Sequence, residues 1–121
     1  MKIFSFEKLI VWQKSKQLSM KVYKITKNFP KDELFGMTSQ MRRCSISIAS
    51  NIAEGSGRHS AKDKARFTEI AYGSALELLN QTLIALDLEY ISEVDHKIIR
   101  IEIEEVTFLL DGLYKSQLKD V

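Results

Sequence analysis

Between Arg42 and Arg66 the chain gathers groups that could hold a polyanion. Arg42-Arg43 opens the stretch, the small residues Ser45, Ser47, Ala49 and Ser50 lead to Asn51-Ile52-Ala53-Glu54-Gly55, and Arg58-His59 with Lys62, Lys64 and Arg66 follow. The N-terminus of a helix carries partial positive charge, so acids rather than bases stabilise its first turn. Arg58, His59, Lys62 and Lys64 run against that preference at the point where a helix is expected to begin. Free amide donors beside several cations make a phosphate-binding surface. Contact with a nucleic-acid backbone through Arg42, Arg43, Arg58, His59, Lys62, Lys64 and Arg66 is therefore the chemistry this stretch predicts. A solvated surface compensated by Asp63 is the alternative. No Tyr or Phe is interleaved with these bases, so stacking of single-stranded bases lacks local support.

Other chemistry finds less. Glu93 and His96 form one Glu-x-x-His element, whereas di-iron bundles need two such pairs and further glutamates. Cys44 falls on an apolar stripe and reads as a small core hydrophobe. His59 lies beside a glycine-rich turn, yet no Ser or Asp constellation attaches to it. Phosphate-loop and dinucleotide fingerprints are missing. The expectation is a protein that is no enzyme, with no metal and no cofactor. Asn51 amid small residues suggests a hydrogen-bonded contact that fixes register, and Glu54 could accept an Arg of a neighbouring chain. Trp12 reads as an anchor in a core or subunit contact.

The elements that must position these residues are helices. The chain has 121 residues, 45% apolar and 28% charged, with one Pro and five Gly, which is too apolar for disorder and too poor in turn formers for a many-stranded β fold. One domain over 1–121 is expected. Val11, Ser15, Leu18, Val22, Ile25 and Phe29 step by three and four through a helix over about 7–28 that Pro30 must end. Met37, Met41, Cys44, Ile48 and Ile52 trace a second over 37–55, stopped by Gly55-Ser56-Gly57. Ser60 with Asp63 opens a third over 60–88. There Tyr72, Leu76, Leu79, Leu83, Leu86 and Tyr90 form one stripe, and Phe67, Ala71, Ala75, Leu78, Thr82 and Ala85 another, implying burial on two sides.

Ser92 with Asp95 caps a fourth over 92–118, striped by Ile99, Ile103, Val106, Leu110 and Leu113 and widened by Ile98, Ile101, Phe108 and Leu109. The tail after Leu118 should fray. Together these predict an all-α, antiparallel up-and-down four-helix bundle. The apolar arcs of the last two helices exceed what one core needs, which predicts homo-oligomerisation through one of them. A lone Cys, no secretory leader and no long apolar run point to a soluble, cytoplasmic protein with no membrane role.

The net charge of +2 conceals a split: residues 1–66 carry ten Lys and four Arg against five acids, and residues 67–121 carry four bases against eleven acids. Such asymmetry suits polyanion binding or pairing of unlike faces between identical subunits. Helices of opposite charge could instead neutralise one another inside the chain.

Phe6-Glu7-Lys8-Leu9, Val11-Trp12-Gln13-Lys14, Phe29-Pro30, Phe35-Gly36-Met37-Thr38-Ser39-Gln40-Met41-Arg42-Arg43, Ser50-Asn51-Ile52-Ala53-Glu54-Gly55 and Ala85-Leu86-Asp87-Leu88-Glu89-Tyr90-Ile91 resemble, in order and over nearly the whole chain, the bacterial four-helix bundle proteins also called 23S rRNA intervening-sequence proteins. The resemblance implies an up-and-down bundle assembled as a homopentameric ring. Some members are encoded inside intervening sequences of large-subunit rRNA genes. The accessory variability determinant of diversity-generating retroelements is similar, a basic pentamer that binds nucleic acid and a reverse transcriptase. By motif, Arg42, Arg43, Asn51, Glu54 and Gly55 are family positions, and the cations from Arg58 to Arg66 follow the usual basic stretch. The implied partners are self and RNA or an RNA-binding protein such as a reverse transcriptase, with Trp12, Asn51, Glu54 and Gly55 as interface residues. The chain departs from that pattern in being nearly neutral. A scaffold that binds only protein is the alternative reading.

Overall fold

The computed structural model describes residues 1–119; Asp120 and Val121, part of the tail expected to fray, lie outside the described residues. Among the described residues there are four helices, α1 (Ile10–Thr26), α2 (Met37–Ser56), α3 (Ala61–Asp87) and α4 (Glu93–Leu118), with 3-10 turns at Ser5–Lys8 and Lys31–Glu33. No strand occurs among the described residues. α1 packs on α2 and α4, and α3 packs on the same two, so the helices follow one another around a square. Neighbours are antiparallel: Lys14 meets Glu105 while Lys21, further along α1, meets Glu102, earlier in α4.

The first helix begins later than its periodicity predicts. Residues 5–8 turn as a 3-10 segment and Leu9 is extended, with φ −72° and ψ 125°. Two side chains hold this entry. Glu7 Oε2 accepts from the Phe4 N–H at 2.8 Å, and Gln13 Nε2 donates to the Glu7 carbonyl at 2.9 Å. At the other end the Asn28 and Phe29 N–H groups tighten onto Ile25 and Thr26 before Pro30 breaks the ladder. Both expected serine caps are present: the Asp63 N–H donates to Ser60 Oγ and the Asp95 N–H to Ser92 Oγ, each at 3.1 Å. Between α3 and α4, Glu89 takes φ 62°, and the Tyr90 N–H reaches back to the Ala85 carbonyl at 2.9 Å, the αL reversal that often closes helices. Tyr90 Oη then donates to Glu33 Oε2 at 2.8 Å, tying that turn to the α1–α2 connection.

The core follows the expected stripes of α1, α2 and α4, with Leu18, Val22, Met41, Ile48, Ile99, Ile103, Val106 and Leu110 almost wholly buried. On α3 the two candidate faces are not equivalent. The small face of Ala71, Ala75, Leu78, Thr82 and Ala85 is fully inside, whereas Tyr72, Leu76 and Leu83 of the larger stripe are exposed and Leu79 and Leu86 half-buried. Ile98, Ile101 and Phe108 of α4 are exposed as well, Phe108 at 79%. The extra apolar arcs therefore lie outside the core rather than thickening it.

Cys44 is buried, its Sγ donating to the Ser74 carbonyl at 3.1 Å. Burial first, and then the charge and hydrogen bonding of Glu77, push its thiol up to about 12. It is no activated nucleophile. In the folded chain Cys44 should resist an aromatic disulfide reagent at mildly alkaline pH and react at the ordinary thiol rate once denaturant is added. Stoichiometric release of the coloured thiolate from native protein within seconds would contradict this environment.

Candidate nucleic-acid interface

The end of α2 and the start of α3 are joined by a tight reversal. The Gly57 N–H bonds the Glu54 carbonyl and the Arg58 N–H the Gly55 carbonyl, each at 3.1 Å, before Ser60 caps α3. Gly55 is buried, and a Cβ built there would stand 2.7 Å from Phe67 Cβ. Only a glycine lets α3 approach so closely. Gly55, expected at an interface between chains, is thus explained by a contact within this one.

The same approach brings the Phe67 ring beneath Arg58, whose guanidinium carbon lies 4.5 Å from the ring centroid. That contact was not foreseen in the run of bases, because Phe67 falls just beyond it and reaches Arg58 through the helix reversal. At that distance the ring's quadrupole attracts the cation. Arg58, His59, Lys62 and Arg66 are exposed and Lys64 is half-buried. Among the described residues none of the five is in an ion pair. Lys62 and Arg66, with Asp63 and Glu69, border an open groove that continues over Tyr114 and Leu118 of α4. Topology adds cations that linear reading missed: Lys2 and Lys8 precede α1 at this end, and Lys119 follows α4 beside it, where Thr68 Oγ1 donates to Gln117 Oε1 at 2.7 Å, while Lys115 is paired with Asp111 at 2.9 Å.

Arg42 and Arg43 do not join this patch. Sixteen residues of helix and turn separate Arg42 from Arg58, and at about 1.5 Å per residue that displaces it by roughly 24 Å along the bundle. Arg42 also has other work. Its Nε donates to Thr26 Oγ1 at 2.9 Å, its Nη2 reaches the Tyr23 carbonyl at 3.4 Å, and its guanidinium sits 4.8 Å from the Tyr23 ring centroid. A cation there complements the negative end of α1. Arg43 is exposed. The cations expected to act together thus lie in two places, a cluster at the α2–α3 end and an arginine pair nearer the start of α2.

Of the remaining residues, Asn51 stays within its helix, its Nδ2 donating to the Ser47 carbonyl at 2.8 Å and Oγ at 3.1 Å. Glu54 is exposed with no side-chain hydrogen bond or ion pair among the described residues. Trp12 is half-buried, edge-on to Phe6 at 5.1 Å, with Lys16 Nζ 5.4 Å from its centroid. Glu93 and His96 stand in the first turn of α4, and no group of three or more metal-ligating side chains assembles among the described residues. No helix among the described residues is long and apolar enough to cross a membrane.

Three substitutions separate these roles. Gly55→Ala forces Phe67 or the α2–α3 reversal to move and should cost about 1–3 kcal/mol, read as a lowered denaturant midpoint. Arg42→Ala removes charged hydrogen bonds and should cost about 1–3 kcal/mol, while Arg58→Ala should change stability by under about 1 kcal/mol because its ring contact is exposed. Equal destabilisation by both arginine changes would show that Arg58 is structural too.

The chain matches the family model described as 23S rRNA-intervening sequence protein over residues 7–112. Its fold is similar to the crystal structure of a protein of unknown function from the S23 ribosomal protein family of Bacteroides thetaiotaomicron VPI-5482. The TM-score is 0.79 at 27% identity, covering 88% of this chain and 99% of that one. Among curated proteins nothing matches. With the family model spanning all but the first turn and the last residues of the bundle, the chain belongs to the 23S rRNA-intervening sequence protein family.

Proposed function

We propose that this chain is a non-enzymatic, homo-oligomeric bundle, assembled as a pentameric ring, that binds RNA or a ribonucleoprotein through its α2–α3 end. One observation carries the RNA reading: Arg58, His59, Lys62, Lys64 and Arg66 crowd the positive end of α3 without an ion-pair partner among the described residues. Elsewhere the basic and acidic halves do meet. Lys14 lies 3.2 Å from Glu105 and Lys21 2.7 Å from Glu102, so α1 and α4 neutralise one another in part. At the α2–α3 end the cations Arg58, Lys62, Lys64 and Arg66 outnumber the acids Glu54 and Asp63. A reading as a protein-only scaffold draws on the exposed Tyr72, Leu76, Leu83 and Phe108, which suit a protein surface better than a phosphate backbone. Both readings use the oligomer, and they differ over the cationic end.

Binding to ribosomal RNA fragments, followed by fluorescence anisotropy, separates them. Three duplex phosphate contacts should weaken wild-type affinity on the order of 40-fold between about 50 and 200 mM salt. Changing Arg58, Lys62 and Arg66 together to Glu should abolish binding without moving the thermal midpoint. Lys64 is left in place because it is half-buried. Absence of binding, or binding indifferent to salt and to the triple change, would leave the protein-only scaffold.

A further inference from the structure

Where α1 ends and α2 begins, away from the α2–α3 reversal, a cavity of about 350 Å³ opens to solvent. Phe29, Pro30 and Leu34 give it apolar surface, and Lys27, Lys31 and Arg42 border it together with two threonines. A largely apolar hollow on which a few polar groups converge is the usual form of a small-molecule site. Thr38 is the informative residue. Buried Thr26, Thr68 and Thr82 each turn the hydroxyl onto the carbonyl four residues back in their own helix. Thr38, in the first turn of α2, has no helical carbonyl behind it. It is 3% exposed and lines the cavity, its hydroxyl making no hydrogen bond among the described residues and its oxygen not sealed into the packing.

The cations beside it have donors to spare. Arg42 is oriented by Thr26 and Tyr23 through Nε and Nη2, and its Nη1 makes no hydrogen bond among the described residues. Lys27 and Lys31 are exposed and in no ion pair among the described residues. At the start of α2 the Met37 N–H takes Glu33 Oε1 at 3.4 Å and the Gln40 N–H is the first to reach a carbonyl, that of Gly36, so the Thr38 and Ser39 amides add to the positive end. The facing end of α1 is partly satisfied, since the Tyr23, Ile25 and Thr26 carbonyls accept from Arg42, Asn28 and Phe29. The nearby acids are engaged elsewhere: Glu33 accepts from the Tyr90 hydroxyl and the Met37 N–H, Asp32 adds its charge beside the same phenol, and neither lines the cavity.

We propose that this cavity binds a phosphate monoester of a small ring-bearing molecule, its phosphate on Arg42 and Thr38 between Lys27 and Lys31 and its ring against Pro30 and Leu34. A phosphate monoester carries close to two negative charges at neutral pH and matches three bordering cations better than the single charge of a carboxylate does. The site is separate from the α2–α3 end and stands whether or not that end holds RNA.

Titration calorimetry tests it with phenyl phosphate as the probe. One equivalent should bind per chain, benzoate and inorganic phosphate should each bind at least about tenfold more weakly, and benzyl alcohol should give no heat. Thr38→Val removes a hydroxyl that has no partner in the fold, so the thermal midpoint should hold while phenyl phosphate weakens on the order of tenfold. Lys27→Gln with Lys31→Gln, at exposed positions, should weaken it as well and flatten its dependence on salt. The chain with Arg58, Lys62 and Arg66 changed to Glu should bind phenyl phosphate as the wild type does. Unchanged affinity in folded Thr38→Val or in the lysine variant would overturn the site, as would loss of binding in the triple Glu variant. Benzoate binding as tightly as phenyl phosphate would overturn the monoester. A short RNA whose 5′-phosphate adds affinity that Thr38→Val removes would make the ligand a nucleic-acid end and overturn the small molecule.

Discussion

The structure depends on which face of α3 turns inward. With Ala71, Ala75 and Ala85 at the centre, the helix can lie close to both neighbours, and its larger residues are carried to the outside. Fully burying a leucine is worth about 1.5–3 kcal/mol, so leaving Leu76 and Leu83 in water forgoes stabilisation that a different rotation of α3 would capture. Close packing explains why that rotation is not adopted: a seam of leucines would hold the backbones apart and open voids beside Ile48 and Leu110. The same closeness reaches the end of the helix, where Gly55 and Phe67 touch and Arg58 comes to rest on the ring. Core and cationic end are thus consequences of one choice of small residues.

Charge is sorted by the fold in a way the linear halves do not show. The positive first half and negative second half become adjacent helices, and Lys21 with Glu102 closes at 2.7 Å between α1 and α4. Pairs of this kind, partly exposed, contribute little stability. Their effect is to remove those charges from what a partner sees. What remains is a cationic end at the α2–α3 reversal, and at the other end a mixed surface where Asp87, Glu89, Glu93 and Asp95, around the turn that Tyr90 and Glu33 lock, stand with Lys24, Lys27, Lys31 and Lys97. The hydrogen bond to Glu33 raises the Tyr90 phenol above its ordinary value. Tyr90 therefore stays protonated through neutral pH, and the lock is lost only as alkali rises through that raised value.

Helix number, order and caps were legible because they are local. Pro30 ends a helix wherever the chain goes, and Ser60 and Ser92 find amide donors three residues on. Two stripes on α3 were legible as stripes, but periodicity gives only their angular separation. Which one meets the core is decided by the neighbours, and alanine against leucine carries no label for that. Arg42 shows the same limit at the candidate site. In sequence it adjoins Arg43 and precedes a basic stretch, and only the antiparallel return of α2 along α1 brings Thr26 within 2.9 Å of it. Leu9 and Glu89, the two residues whose backbone angles set the start of α1 and the end of α3, carry no side-chain signature of an extended or left-handed position.

The placement of the cationic end on the bundle decides what an assembly could do with it. A handful of exposed cations on one chain binds a phosphate backbone weakly, and the binding fades with salt. Copies related by rotation about an axis roughly parallel to the helices would keep every α2–α3 end on one rim, so the local excess would be repeated around a circle while the α3–α4 turns collect on the other. Repetition at fixed spacing raises the effective concentration of each site for a continuous polyanion. A two-fold axis across the helices would send neighbouring ends to opposite rims and forfeit this. For a chain of net charge +2, the proposed retention of RNA would therefore depend on the geometry of assembly more than on total charge.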